Sequence, residues 1–438
     1  MLRIGSGAGF AGDRLEPAVL LAEQGKLDYL VLECLAERTI ALAQRRKLQN
    51  PALGYDSLLE KRLEQLLPIL KKNGVRLVTN MGAANPVAAA EKIVEIAKRQ
   101  GLAIKVAAVT GEDVLEQMHP EQRTLESNEP LSAYGQLISA NAYIGAEALL
   151  PALETGADIV VAGRVADPSL FLAPMMHHYG WSWQAQDKLA QGTVIGHLLE
   201  CAGQITGGYF ADPGRKDVPG LAELGFPFAD IDQDGTAIIS KIEGTGGVIH
   251  LGTVKEQLLY EVTNPYVYLT PDSTVDFSSV RLREISPNRV EVSGGKGKEQ
   301  PATLKVSVGY HAGFIGEGEI SYGGSHALAR AQLAGEIIRE RLATRSFSEI
   351  RVDYIGSNSV HRTSFGHEHE PYEARLRVAA KASSQAEAEQ VGEEVEALYT
   401  NGPAGGGGAR KYVHEVIGIV SVLIPRDQVQ TQVTIREC

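Results

Sequence analysis

The chain has 438 residues, 44% of them hydrophobic and 22% charged, with a formal net charge of −12. That length exceeds one ordinary core and predicts two or three domains, and the scattered basic residues exclude the basic stripe that nucleic-acid binding needs. Three cysteines (Cys34, Cys201, Cys438) without ligand spacing exclude a disulfide framework or a cysteine metal centre. No apolar run reaches about 18 residues and no signal-peptide core is visible, so a cytoplasmic protein with no membrane partner is expected.

The first half alternates strand and helix signals. Leu2-Arg3-Ile4 leads into Gly5, Gly7, Gly9 and Gly12, closing on Asp13-Arg14. Gly7-x-Gly9-x-x-Gly12 matches a dinucleotide fingerprint, with Glu33 about 20 residues further on where a ribose-binding acid belongs. Against that reading, the apolar strand is short, and Pro17 puts the helix start near Leu15 or Glu16, after the loop. A substrate-contacting loop is the better expectation, with Gly9, Asp13 and Arg14 facing the ligand. Further buried strands are predicted at Leu27–Leu32, Val75–Thr79, Ile104–Val109 and Ala157–Ala162. Helices are predicted at Glu16–Gln24, Glu37–Leu48, Leu58–Lys72, Pro86–Gln100 and Ala146–Glu154. This alternation predicts a mostly parallel N-terminal sheet covered by helices, with its chemistry at the carboxyl ends of the strands.

Those ends carry polar residues. Glu33-Cys34 follows the second strand, where Glu33 either caps a helix or works as a buried general acid or base. Asn80-Met-Gly-Ala-Ala-Asn85-Pro86 follows the third and reads equally as a ligand loop or an asparagine turn. Gly111-Glu112-Asp113 follows the fourth. After the fifth, Arg164 can grip an anion in a bidentate fork or pair with Asp167, ahead of Ser169.

Asp187–Cys201 reads as a helix in which His197 and Glu200 share a face, as an acid–base pair, metal ligands or core. The turns Glu243–Gly247, containing Thr245, and Pro403–Gly408 lack the lysine and hydroxyl of a P-loop, which disfavours ATP. A helix is predicted from Thr253 with Glu256 completing a capping box, and 237–250 holds two strand-like runs. Residues 265–325 read as β-rich, and the tail beyond about 350 as a small α+β unit. Domains are expected at 1–180 (parallel α/β), 181–345 (mixed helical and β-rich) and 346–438 (small α+β). Among His361, His367 and His369, the run His367-Glu-His369 could supply two metal ligands, but Gly366, Glu370 and Pro371 around it read as an exposed turn, so no metal ligands are assigned.

The ordered motifs Gly5–Arg14, Leu32–Glu37, Asn80–Pro86, Gly163–Leu170, Gly196–Cys201, Thr206–Tyr209, Gly244–Gly247, Leu258–Val262 and Asn401–Gly408 resemble the acyclic terpene utilisation (AtuA) family along nearly the whole chain. The resemblance implies a part in the bacterial breakdown of citronellol- and geraniol-like branched compounds through acyl-CoA esters, and supplies no catalytic residue set. The combined expectation is a cytoplasmic lyase, hydratase or hydrolase acting by acid–base chemistry on a carboxylate or acyl-CoA. Glu33, His197 and Glu200 would be catalytic; Gly9, Asp13, Arg14, Asn80, Asn85, Arg164, Asp167, Ser169 and Thr245 would bind substrate. The cofactor is unknown: NAD(P) is disfavoured and a divalent metal is left open. A homo-oligomer is the base-rate expectation. The alternatives are an NAD(P)-dependent oxidoreductase using the first loop and a non-catalytic subunit of a catabolic complex.

Overall fold

A computed structural model describes residues 1–361 and 370–438, so His367 and His369 lie outside the described residues. The chain is a mixed α/β protein with large mixed sheets and forms two compact units. The first unit holds residues 1–133, 137–309 and 419–438, the second 134–136 and 310–418. These units divide the chain differently from the boundaries expected at 180 and 345. The physical reason is strand pairing: strands well beyond residue 180 hydrogen-bond into the first sheet.

In the first unit the elements begin β1 (Leu2–Ala8), α1 (Glu16–Gln24), β2 (Tyr29–Leu32), α2 (Glu37–Gln49), α3 (Leu59–Asn73), β3 (Arg76–Thr79), α4 (Pro86–Arg99) and β4 (Lys105–Thr110). They continue with β5 (Leu137–Ala142), α5 (Ala146–Glu154), β6 (Ile159–Ala162), α6 (Ser169–Tyr179), α7 (Gln186–Glu200), β7 (Pro227–Ile231), β8 (Ala237–Lys241) and α8 (Leu251–Leu259). Five strands run parallel in the order β1-β2-β3-β6-β4. Antiparallel strands extend this core on both sides. On one side lie β7, β8 and the hairpin Arg281–Ser286/Arg289–Ser293; on the other Gln432–Glu437 pairs with β4.

Residue alternation explains why the core strands read as continuous apolar runs. Tyr29 and Val31 of β2 join Leu2, Ile4, Val78 and Val160 in the core beneath α5, α6 and α7. Leu30 and Leu32 point the other way, with Leu77 and Val161, to Leu21, Leu63, Leu66 and Ile93 of α1, α3 and α4. Both faces are covered, and each such side chain buried contributes about 1.5–3 kcal/mol. Helix α7 is buried on all sides over Leu189–Glu200, which accounts for its weak amphipathic signal.

Three local expectations differ. Helix α8 starts at Leu251, because His250 takes the N-cap position and accepts from the Gly252 and Thr253 amides. One strand, β8, stands where two runs were expected over 237–250. The glycine-rich stretch near 403–408 feeds a strand that already begins at Gly407.

In the second unit Glu349–Ile355 and Phe314–Gly323 pair antiparallel with Glu373–Ala382. Helices Ala327–Leu342 and Gln385–Glu396 bury Ala334, Ile338, Val391 and Val395 against Ile320, Leu376 and Val378. Among the described residues, no helix is long and apolar enough to cross a membrane.

Candidate active site

The carboxyl ends of the parallel strands open on a cavity of about 1030 Å³ that lies wholly within the first unit. Gly9, Asp13 and Arg14 reach it from the loop after β1, and Glu33, Leu35, Ala36 and Glu37 from beyond the end of β2. Arg164 and Asp167 follow β6, Tyr143 follows β5, and Glu200 with Cys201 closes α7. Apolar side chains, among them Phe10, Tyr209, Leu221 and Leu269, stand exposed on the same wall.

An acidic centre lies at the strand ends. Glu33 Oε1 accepts from the Leu35 amide at 2.8 Å and from Asn80 Nδ2 at 2.9 Å. Asn80 Oδ1 accepts from the Cys34 amide at 2.7 Å, which fixes the amide's orientation. Asp167 meets Arg164 Nη2 at 3.0 Å, the pairing alternative for that motif. Burial drives the Glu33 carboxyl well above the ordinary range, and the nearby Asp167 charge adds to it. Burial likewise pushes Asp167 up to about 7 despite Arg164. Two carboxyls whose negative charges oppose each other each hold a proton more tightly than an isolated one does.

His197 and Glu200 form the pair their spacing allows, with Nδ1 2.9 Å from Oε1. Both are raised: Glu200 chiefly by burial, His197 by the Glu200 charge acting against burial. His197 is buried behind Glu200, flanked by the rings of Tyr268 and Phe277.

A charged wall stands beside this centre. The Tyr143 hydroxyl donates to Glu37, and Tyr143 carries the Arg164 guanidinium 4.1 Å and Lys305 4.9 Å from its ring centroid. Lys305 Nζ is 3.5 Å from Glu37 Oε1. The Tyr143 bond and the two cations outweigh burial and hold Glu37 down to about 2. Arg164 also donates to the Leu35 carbonyl, so Glu37, Tyr143 and Lys305 frame one end of the cavity with fixed charge.

The glycine-rich loop is built for packing. Gly5 and Gly7 lie inside β1, and a Cβ on Gly9 would stand 2.5 Å from the Cys201 carbonyl carbon. Helix α1 begins at Glu16 and carries that carboxylate in its first turn, an unfavourable neighbour for a pyrophosphate. The residues therefore fit a dinucleotide turn poorly. Asp13 accepts from the Gly9 amide at 2.9 Å and the Arg14 amide at 2.8 Å. Arg14 Nη1 donates to the Ala222 carbonyl at 2.6 Å. Behind the loop, Arg62 Nη2 binds the Ala11 and Asp13 carbonyls, while its Nη1 lies 2.7 Å from Cys34 Sγ. Burial keeps that thiol protonated.

Among the expected residues, Gly9, Asp13, Arg14, Glu33, Arg164, Asp167 and Glu200 border one cavity. Asn80 and His197 stand directly behind Glu33 and Glu200. Asn85, Ser169 and Thr245 do not border it. Asn85 caps α4 and binds the Pro51 and Leu53 carbonyls, Ser169 donates to Asp272, and Thr245 donates to the Ile242 carbonyl. Sequence reasoning missed Glu37, Tyr143, Glu261, Tyr268 and Lys305 as cavity residues. Glu37 and Glu261 fall in or beside recognisable motifs; Tyr143 and Lys305 carry no local signal. Among the described residues no group of three His, Cys, Asp or Glu is placed to hold a metal ion.

The model of the acyclic terpene utilisation family protein AtuA matches residues 2–435. No curated protein and no solved structure matches the chain.

Proposed function

The chain belongs to the acyclic terpene utilisation family AtuA, and from that premise we propose that it is an acid–base enzyme acting on a branched, largely apolar acyl substrate, a carboxylate or CoA ester. The observation that carries this reading is the pairing of a buried Glu33 with a half-buried Asp167, both raised, at the wall of a cavity rimmed by apolar side chains. A carboxyl that holds its proton near pH 7 is a competent general acid there. The exposed Phe10, Tyr209, Leu221 and Leu269 would take the acyl chain, and Lys305 and Arg14 its anionic end. Proton transfers of this kind suit hydration, dehydration or C–C and C–O lysis. The reading places the protein in the cytoplasm, where CoA esters are processed.

The test is turnover of branched acyl-CoA esters by the intact protein and by Glu33→Gln and Asp167→Asn. Each variant should lose about 10²–10⁴-fold in kcat while retaining its thermal transition. Because the pair acts as the acid, wild-type activity should fall as pH rises through about 7. Wild-type rates in both folded variants would refute the assignment.

A further inference from the structure

A second carboxylate system on the cavity wall is not used by that reading. Helix α7 ends at Glu200, and His197 lies one turn earlier. The imidazole is held from several sides: Nδ1 by Glu200 Oε1 at 2.9 Å, and the ring by Phe277 and Tyr268 at 5.4 and 5.6 Å. Gln257 Nε2 donates to the His197 carbonyl at 3.1 Å and ties that turn to α8. Glu200 is therefore oriented through one oxygen. Its other oxygen, Oε2, is buried and has no hydrogen-bond partner, in a residue that borders the cavity. A buried carboxylate oxygen without a donor is a costly arrangement that calls for a partner. Oε2 is closely covered, so the donor it accepts has to be small.

Building on the acyl reading, we propose that Glu200 binds a water molecule or the substrate's hydroxyl through Oε2 and moves its proton, so that the reaction is the reversible hydration of a double bond conjugated to the acyl carbonyl. Glu200 is then a catalytic base, and His197 a positioning residue acting through it. In the forward direction Glu200 takes one proton from water, and the water oxygen bonds to the β-carbon. The π-electron pair shifts to the α-carbon, which takes a proton from the Glu33–Asp167 pair. Water is the one co-reactant, and the proton gained by Glu200 restores the one the pair gave up.

The electrostatics divide the roles in the same sense. The charges facing Glu200 are His197 and Arg164, which favour its ionised form, and Glu261, which opposes it. Asp167, Cys201 and Tyr268 are in turn raised by the Glu200 charge. Glu33 sits well above its ordinary value, because burial and the Asp167 charge outweigh its hydrogen bonds to Leu35 and Asn80 and the Arg164 charge. Burial raises both carboxyls, Glu33 the further of the two, so Glu33 keeps its proton to higher pH and serves as the acid while Glu200 ionises first and serves as the base.

The experiment is turnover of branched 2-enoyl thioesters by the full chain in ¹⁸O-labelled water, read by mass spectrometry of the product. The label is expected at the β-carbon with wild type, and Glu200→Gln is expected to lose about 10²–10⁴-fold in kcat. His197→Gln should keep part of the activity but shift the acidic limb of the pH profile upward, on the order of one unit. The sign follows because His197 lowers the Glu200 carboxyl, and the base works only when ionised. Purely structural damage would lower kcat without moving that limb. Thioester turnover without label at the β-carbon, a wild-type rate in Glu200→Gln, or an unmoved limb in His197→Gln overturns the proposal and leaves the acyl reading standing. The labelling arm needs no variant to fold. A wild-type protein that turns over no acyl thioester removes the acyl reading, and this proposal with it.

Discussion

Two donors, the Leu35 amide and Asn80 Nδ2, converge on a single oxygen of Glu33, so in the proposed reaction Oε2 is the oxygen that carries the proton. Asn80 supplies one of them, and its own carbonyl is committed to the Cys34 amide. Asn80 was expected to touch substrate; its place behind Glu33 makes it an orienting group. Its hydrogen bond also lowers the Glu33 carboxyl, so its loss raises that group further. Asn80→Ala should therefore move the alkaline limb of the pH–rate profile upward while reducing kcat. It should also cost about 1–3 kcal/mol of stability, because the buried Cys34 amide loses its acceptor. Thermal unfolding together with the pH profile measures both effects. A lower stability with an unmoved limb would show that Asn80 only packs.

At the level of elements, the turn after β6 depends on a missing side chain. A Cβ on Gly163 would lie 1.7 Å from Glu112 Oε1 and 2.6 Å from the Ala83 carbonyl oxygen. Three strand ends, those of β3, β4 and β6, meet at that point. Gly163→Ala must push them apart and displace Arg164, the next residue. The cost should be about 1–3 kcal/mol together with loss of activity, read by denaturant unfolding and turnover. Unchanged values would mean that Glu112 swings away freely. This junction also shows what the sequence reveals. Parallel strands send all their carboxyl ends to one edge, so polar residues after successive apolar runs pointed to that edge from the sequence alone: those at 33 and 164 border the cavity, Asn80 stands behind Glu33, and Glu112 packs at the Gly163 turn instead. Tyr143 and Lys305 gave no such notice. They are brought together by the hydrogen bond from the Tyr143 amide to the Lys305 carbonyl at 2.8 Å, between segments far apart in the chain. Strand β7 was hidden for a related reason. Its Asp230 interrupts the apolar run, and Arg3 of the neighbouring β1, far away in sequence, pairs with it at 2.6 Å. Ser169 and Thr245 misled because local spacing cannot tell a hydroxyl facing a cavity from one bonded to its own fold.

Taken over the whole molecule, the buried carboxyls bias stability toward the acid side of neutrality. Burial raises Asp272 to about 6 and Glu112 and Asp167 to about 7, and lifts Glu33 and Glu200 as well. Each binds a proton more tightly folded than unfolded, so each contributes stability that is complete below its unfolded value and lost as pH rises through the folded one. Glu37 acts oppositely: held down to about 2, it contributes stability that is lost as pH falls from about 4.5. Folding stability should therefore peak near pH 4 to 5 and decline from there toward pH 8. Glu112 isolates part of that decline, since it does not border the cavity. Raised from 4.5 to about 7, it accounts for roughly 3 kcal/mol of the loss between those limits at about 1.4 kcal/mol per pH unit. Glu112→Gln keeps the size of the side chain and cannot ionise. Urea unfolding at pH 5 and pH 8 should show the variant gaining on the wild type only at the higher pH, with turnover at pH 7 little changed. An equal effect at both pH values would mean that Glu112 is ionised in the folded protein throughout, held by Lys47, whose charge counters its burial.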